Sequence, residues 1–120
     1  MRRALLTAAA LSATALLALS GCAAAPSFTG SWAGEGDNAP ELEITEDWAF
    51  TGSDGCNTMV GSGTVDGDTF DFGRFATTRK YCEGVDTWLS LAGSATVQGD
   101  TLTVLDLDGA ELGTLTRAKG

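Results

Sequence analysis

From residue 28 onward apolar side chains mostly alternate singly with polar ones, and most of the alternating runs end within a few residues at a glycine-bearing turn. That period of two restricts the chain to short half-buried strands. Trp32 lies at the start of the first, after Phe28. Leu42 and Ile44 alternate with Glu41, Glu43 and Thr45, and Trp48 and Phe50 continue after Glu46-Asp47 as the second arm of a hairpin. Ser53-Asp54-Gly55 turns the chain into Met59–Val65, a strand whose glycines indicate a bulge or a close backbone approach. Asp66-Gly67 is a hairpin turn leading to Phe70 and Phe72 on one face, and Phe75–Tyr81 is extended. Ala95 and Val97 pair across Gln98-Gly99-Asp100 with Leu102 and Val104. The phase slips at Leu105 and Leu107, which predicts a bulge or burial on both sides there. Asp108-Gly109 makes the last turn before Glu111–Arg117. Between Glu83 and Ala92 the period changes, with Val85, Trp88, Leu89 and Ala92 at i, i+3, i+4 and i+7. This predicts one short α-helix over about residues 83–92, with Gly93 as its stop. Seven or eight short strands with one helix predict a mainly β domain, an antiparallel meander that closes toward a barrel and so disposes of its edges.

The first residues follow another rule. Arg2 and Arg3 precede an uncharged, alanine-rich run from Ala4 to Leu19, the layout of a secretory signal and too short for a comfortable membrane span. The run ends in Leu19-Ser20-Gly21-Cys22, where two small residues precede a thiol able to carry a diacylglyceryl group. This resembles the lipobox of bacterial lipoproteins. Residues 1–21 are therefore expected to be a cleaved signal, with general secretion favoured over twin-arginine export. Residues 22–27 become a lipidated cysteine and tether, and residues 28–117 the domain. Acyl chains on Cys22 would anchor the protein to the membrane outside the cytoplasm, since two chains hold stably where one binds reversibly. The tether reaches only about 20 Å when fully extended.

Loss of residues 1–21 leaves five basic residues against sixteen acidic ones, a net charge of −11. Such a surface repels phosphate backbones, so no nucleic-acid partner is expected and the lipid is the membrane contact. Ninety-nine residues bury a modest core, and a covalent staple helps a domain of this size. Cys56 and Cys82 remain once Cys22 is lipidated. In an oxidising compartment they are expected to bond to each other, which restricts the unfolded chain by roughly 3–4 kcal/mol.

Enzyme chemistry is poorly provided for. The chain has no histidine, and two lone cysteines do not complete a zinc sphere. Carboxylates near Trp48 or Trp88 raise the idea of a sugar-cleaving pair, but acids this abundant are normally solvated faces. Asp66-Gly67-Asp68 and Asp106-Leu107-Asp108-Gly109 lack the twelve-residue calcium-loop series and fit hairpin turns. The expectation is a monomer that is not an enzyme, with no cofactor and no metal.

Three groups of residues taken together resemble the META domain, the HslJ-like family of bacterial envelope proteins. They are Gly55-Cys56-Asn57 followed by Gly61, then Thr77-Thr78-Arg79 leading to Cys82, and the closing Gly99-Asp100-Thr101-Leu102-Thr103-Val104 hairpin. The chain departs from the family at Lys80-Tyr81, where members usually carry a methionine and a small residue. The resemblance implies a small lipocalin-like barrel or curved sheet, frequent lipoprotein status, links to stress and no established catalytic residues. Gly55 is expected at positive φ, Asn57 as a cap for loop backbone groups and Arg79 as partner of a carboxylate. Function is then expected to be that of a non-catalytic envelope lipoprotein, a stress-related binding or structural module. The alternative is an inhibitor of an extracytoplasmic enzyme or a carrier of small ligands.

Overall fold

A computed structural model describes residues 27–118, so Cys22 and the expected signal lie outside the described residues. The strands are β1 (Gly30–Ala33), β2 (Glu41–Ile44), β3 (Ala49–Ser53), β4 (Thr58–Ser62), β5 (Thr64–Asp66), β6 (Thr69–Asp71), β7 (Phe75–Thr77), β8 (Ser94–Gln98), β9 (Thr101–Leu105) and β10 (Glu111–Arg117). They form one antiparallel sheet in the order β5-β6-β8-β9-β10-β1-β2-β3-β4-β7.

The sheet is curled, and its two ends meet through the chain itself. β5 pairs with β6 (Thr64↔Asp71, Asp66↔Thr69), and β4 pairs with β7 (Gly61↔Phe75, Met59↔Thr77). The two registers differ by one residue, so both pairs belong to a single hairpin, 58–66 against 69–77, bent in its middle. Its first strand joins β3 and its second joins β8. Counted this way the ten strands are eight runs, a meander whose ends come back to each other.

The bend is sited by crowding. A Cβ on Gly61 would lie 2.6 Å from the Phe75 Cβ and 2.7 Å from Phe50 Cζ. One on Gly63 would overlap Phe70 Cζ and approach the Asp71 carbonyl oxygen to 2.6 Å. Bare backbone here lets the phenylalanines fill the interior where the sheet turns its corner. Phe50, Phe70 and Phe72 meet edge to face with ring centroids 5.0–6.1 Å apart, and Phe28 lies 5.6 Å from Phe70. Trp32, Leu42, Ile44, Met59, Leu89, Leu102, Val104 and Leu115 complete a core of residues buried from every part of the sheet.

An up-and-down meander sorts its loops between two ends. At one end the chain enters through Ser27–Thr29, beside the turns 45–48, 66–69 and 98–101. Arg117 fastens that incoming segment: Nη1 donates to the Thr29 carbonyl and Nη2 to that of Ser27, both at 3.0 Å. Its Nε lies 3.3 Å from Asp100, and the guanidinium stands 4.2 Å above the Trp32 ring. In the 45–48 turn, Thr45 Oγ1 donates to Asp47 and the Ala49 amide donates weakly to the same carboxylate, which holds Asp47 below the ordinary carboxylate range. The opposite end carries loops 34–40, 54–57, 78–93 and 106–110.

One expectation is corrected and another is met in part. The helix over 83–92 is a single 3-10 turn, Trp88–Leu91. Cys82 is fixed in a disulfide and Gly84 takes φ 80°, so no helix starts at Glu83. The apolar spacing is met piecewise instead. Val85 packs on Gly55, the Trp88 ring lies over Gly113 of β10, and Leu89 enters the core. At Leu105 the bulge sits on the facing strand, between Glu111 and Gly113, and Leu107 is 88% exposed in the turn with no burial on either side. No helix among the described residues is long and apolar enough to cross a membrane.

Gly63→Ala is expected to cost about 1–3 kcal/mol by overpacking, and less when it is made in a Phe70→Leu background, where the ring that the new Cβ would overlap is gone. Urea denaturation in the two backgrounds checks this; equal losses would contradict the crowding.

Candidate functional site

Two of the three motif groups, Gly55–Asn57 and Thr77–Arg79 with Cys82, converge at the end of the barrel opposite Ser27–Thr29, whereas the turn of the Gly99–Val104 hairpin lies at the Ser27–Thr29 end. The β3–β4 connection is built around Asp54, which is fully buried. Its Oδ1 accepts from the amides of Cys56 (2.9 Å) and Asn57 (2.5 Å), an Asx turn that reverses the chain. Gly55 follows at φ 98°, and a Cβ there would overlap the Asn38 carbonyl oxygen and lie 3.2 Å from Val85. Backbone freedom and space both demand glycine.

Asn57 does the work of an extra strand residue. Its Oδ1 accepts from the Lys80 amide (2.6 Å) and from Thr78 Oγ1 (2.9 Å), and its Nδ2 donates to the Lys80 carbonyl (3.2 Å). The carboxamide thus pairs with both backbone groups of Lys80, as a β residue would. The Thr78 amide donates to the Thr58 carbonyl (3.1 Å), and the Thr58 amide donates to Thr78 Oγ1 (3.0 Å). The β4–β7 ladder therefore runs two steps past Thr77. Cys56 and Cys82 are bonded across a separation of 26 residues, with Cα atoms 5.9 Å apart, and lock the same two segments together just beyond Lys80.

Alternation assigns the other backbone groups. Since Thr78 and Lys80 direct their N–H and C=O toward the β4 side, Phe75, Thr77 and Arg79 direct theirs away from it. β7 pairs with no second strand. The last tie between this stretch and the start of β8 is the Phe72 amide to the Gly93 carbonyl (3.0 Å). Beyond it the wall splits into a groove of about 410 Å³ between Thr77–Tyr81 and Ser90–Leu91, with Asn57 at its base. Tyr81 is 86% exposed, Leu91 61% and Val60 52%. Arg79 and Lys80 are exposed as well.

Gly61 lies away from this cluster on the barrel wall, against Phe50 and Phe75. Arg79 meets no carboxylate; the ion pair seen among the described residues is Arg117–Asp100. Arg79 sits on a segment from Phe72 to Cys82 that contains no acid, between Asp71 and Glu83. Sequence reasoning placed Asp54 in the turn but missed its burial and its part as acceptor for the two following amides. It also missed the pairing partner of Asn57, which lies 23 residues away.

Two further recesses are present. One of about 280 Å³ lies between loops 34–40 and 84–88, with Glu35, Asp37 and Asp86 around Trp88. Another of about 520 Å³ crosses the outer faces of β1 to β3, lined by Ser31, Glu43 and Thr51 among others. Both open outward, away from the aromatic core. Among the described residues no three histidine, cysteine or acidic side chains are grouped so as to hold a metal ion.

A family model described as the META domain matches residues 19–119. No curated protein and no solved structure gives a significant match.

Asn57→Ala is expected to destabilise the fold by about 2–4 kcal/mol, the cost of several lost bonds to part-buried groups. Asn57→Asp keeps the acceptor but faces the Lys80 carbonyl with an oxygen, and is expected to lose at least about 1 kcal/mol. Chemical denaturation measures both; an unchanged Asn57→Asp midpoint would rule out the described pairing. Cys56→Ser/Cys82→Ser is expected to lose about 3.5 kcal/mol for a loop of this length, or roughly 15–25 °C in Tm. A calorimetric shift under about 5 °C would contradict that.

Proposed function

Because the chain belongs to the META domain family, we propose that it is a non-catalytic cell-envelope lipoprotein that acts by binding at its surface. Cys22 carries the lipid in this reading, and Arg117 supports it by holding Ser27 and Thr29 against the last strand. The domain then stands close to the bilayer on a short tether. The turns beside that segment carry Glu46, Asp47, Asp66, Asp68 and Asp100, a negative end that keeps clear of anionic headgroups. The disulfide-bearing loops face outward.

The observation that carries surface binding is the composition of that outward end. It presents exposed Tyr81 and Leu91 beside unpaired basic groups on an otherwise acidic domain. Large exposed apolar side chains next to an arginine are a feature of interaction sites, where aromatic residues and arginine are enriched. Carriage of a small molecule has less support, because Phe28, Phe50, Phe70 and Phe72 occupy the interior. Inhibition of an extracytoplasmic enzyme is one form the surface binding can take. A stress-related role is part of the proposal and follows from the family alone.

Intact-mass analysis of the cellular protein tests the anchoring half. The expected mass is that of a chain beginning at Cys22 with acyl groups attached, and Cys22→Ala is expected to release the domain from the membrane. A mature form that retains residues 1–21, or lacks fatty acid, would overturn it. Native pull-down with the anchor intact, from stressed and unstressed cells, tests the binding half. Retention of a stoichiometric protein partner is expected, and its absence under every condition would refute surface binding.

A further inference from the structure

The β7 edge is unusual in what surrounds it. In the groove described above, Thr77 and Arg79 line one wall with their outward-facing backbone groups, Phe75 precedes them on the same unpaired edge, and Ser90–Leu91 of the 3-10 turn stands opposite. The groove walls' own polar side chains are already engaged: Asn57 by Lys80 and Thr78, Thr77 by the Thr78 carbonyl, Ser90 by the Thr87 carbonyl. What is left to offer is a row of main-chain donors and acceptors, the Arg79 and Lys80 cations, and the Tyr81 and Leu91 side chains. Two cations, Arg79 and Lys80, line the groove, and a third, Arg74, precedes β7. Of the five basic residues from Cys22 onward, Arg74, Arg79 and Lys80 lie within seven positions, and the stretch 72–82 contains no carboxylate.

Resting on the surface-binding reading, we propose that the open edge of β7, extended through Arg79, receives an acidic peptide segment of a partner protein. The segment adds as a further antiparallel or parallel strand between β7 and the 3-10 turn. Main-chain bonds to Phe75, Thr77 and Arg79 supply the strand pairing. Carboxylates of the incoming segment meet Arg79 and Lys80, and its apolar side chains lie on Tyr81 and Leu91. The same two cations repel a second β7 edge, so they guard against self-pairing while admitting an acidic strand. Asn57 and the Cys56–Cys82 bond act as positioning groups, because they hold residues 78–82 on the β4 side and leave the other side free.

The test uses the full processed chain in detergent and four nine-residue probes: one alternating glutamate with valine or threonine, its lysine counterpart, and two copies of the acidic peptide N-methylated at alternate backbone nitrogens, one in each phase. Binding at low salt is expected to be at least about tenfold tighter for the acidic probe than for the lysine probe. It should slow amide exchange at Phe75, Thr77 and Arg79, and N-methylation in one of the two phases should abolish it. Arg79→Glu/Lys80→Glu is expected to lose at least about tenfold in affinity with unchanged Tm. Thr77→Pro, which removes an edge amide facing away from β4, is expected to block binding, and the double charge variant keeps the test decisive if the proline variant does not fold. Equal binding of the lysine probe, no slowing at those three amides, or indifference to N-methylation in both phases overturns the proposal, as does concentration-dependent self-association through this edge. A cellular partner retained by the double charge variant would leave surface binding standing and overturn strand addition alone.

Discussion

Phenylalanine rings stand where two glycine side chains would be, Phe50 against Gly61 and Phe70 against Gly63, and the shape of the whole barrel depends on that exchange. A close-packed interior does not tolerate even one extra methyl at such points. The hairpin of residues 58–66 and 69–77 must therefore bend where the glycines are. Bending redirects its edges: the first strand leaves β3 and the second leaves β8 at nearly the same level. One consequence is a closed core with few strands. Another is a split in the wall, and the split is where exposed and basic groups collect.

The split is held by polar groups chosen for geometry. Asn57 is suited to its position because a carboxamide both donates and accepts in one plane, as a peptide group does, and so continues a ladder after the backbone has turned away. Asp54 makes that turn and the disulfide closes beyond it. These three devices are successive along one line, from the loop through Lys80 to Cys82, and each relieves the next of holding the segment alone. Only the β4 side of the 75–80 stretch is satisfied by them. On the far side the domain keeps backbone groups in reach of solvent.

Much of this was legible in the sequence. The period-two pattern located nearly every strand, since alternation maps directly onto inward and outward faces. Glycine at 61 and 63 signalled a close approach, and the structure places Phe50, Phe70 and Phe75 there. The segment around Trp88 misled because i, i+3, i+4 spacing describes which residues are buried, not which backbone buries them. A disulfide, a left-handed Gly84 and a Trp88–Gly113 contact produced the same burial with one 3-10 turn. Arg117 carried no local sign of its role, because its partners Ser27 and Thr29 lie about ninety residues away and are joined only by the closure of β1 on β10. The split beside β7 was equally hidden, since it follows from register and not from composition.

The most direct test of this account is amide hydrogen exchange along residues 75–80 of the free protein, read residue by residue by NMR. A one-sided strand predicts alternation, with Ala76, Thr78 and Lys80 protected and Phe75, Thr77 and Arg79 exchanging quickly. Uniform protection through the stretch, or the opposite alternation, would mean that both edges of β7 are covered or that the register is shifted, and the open edge would not exist.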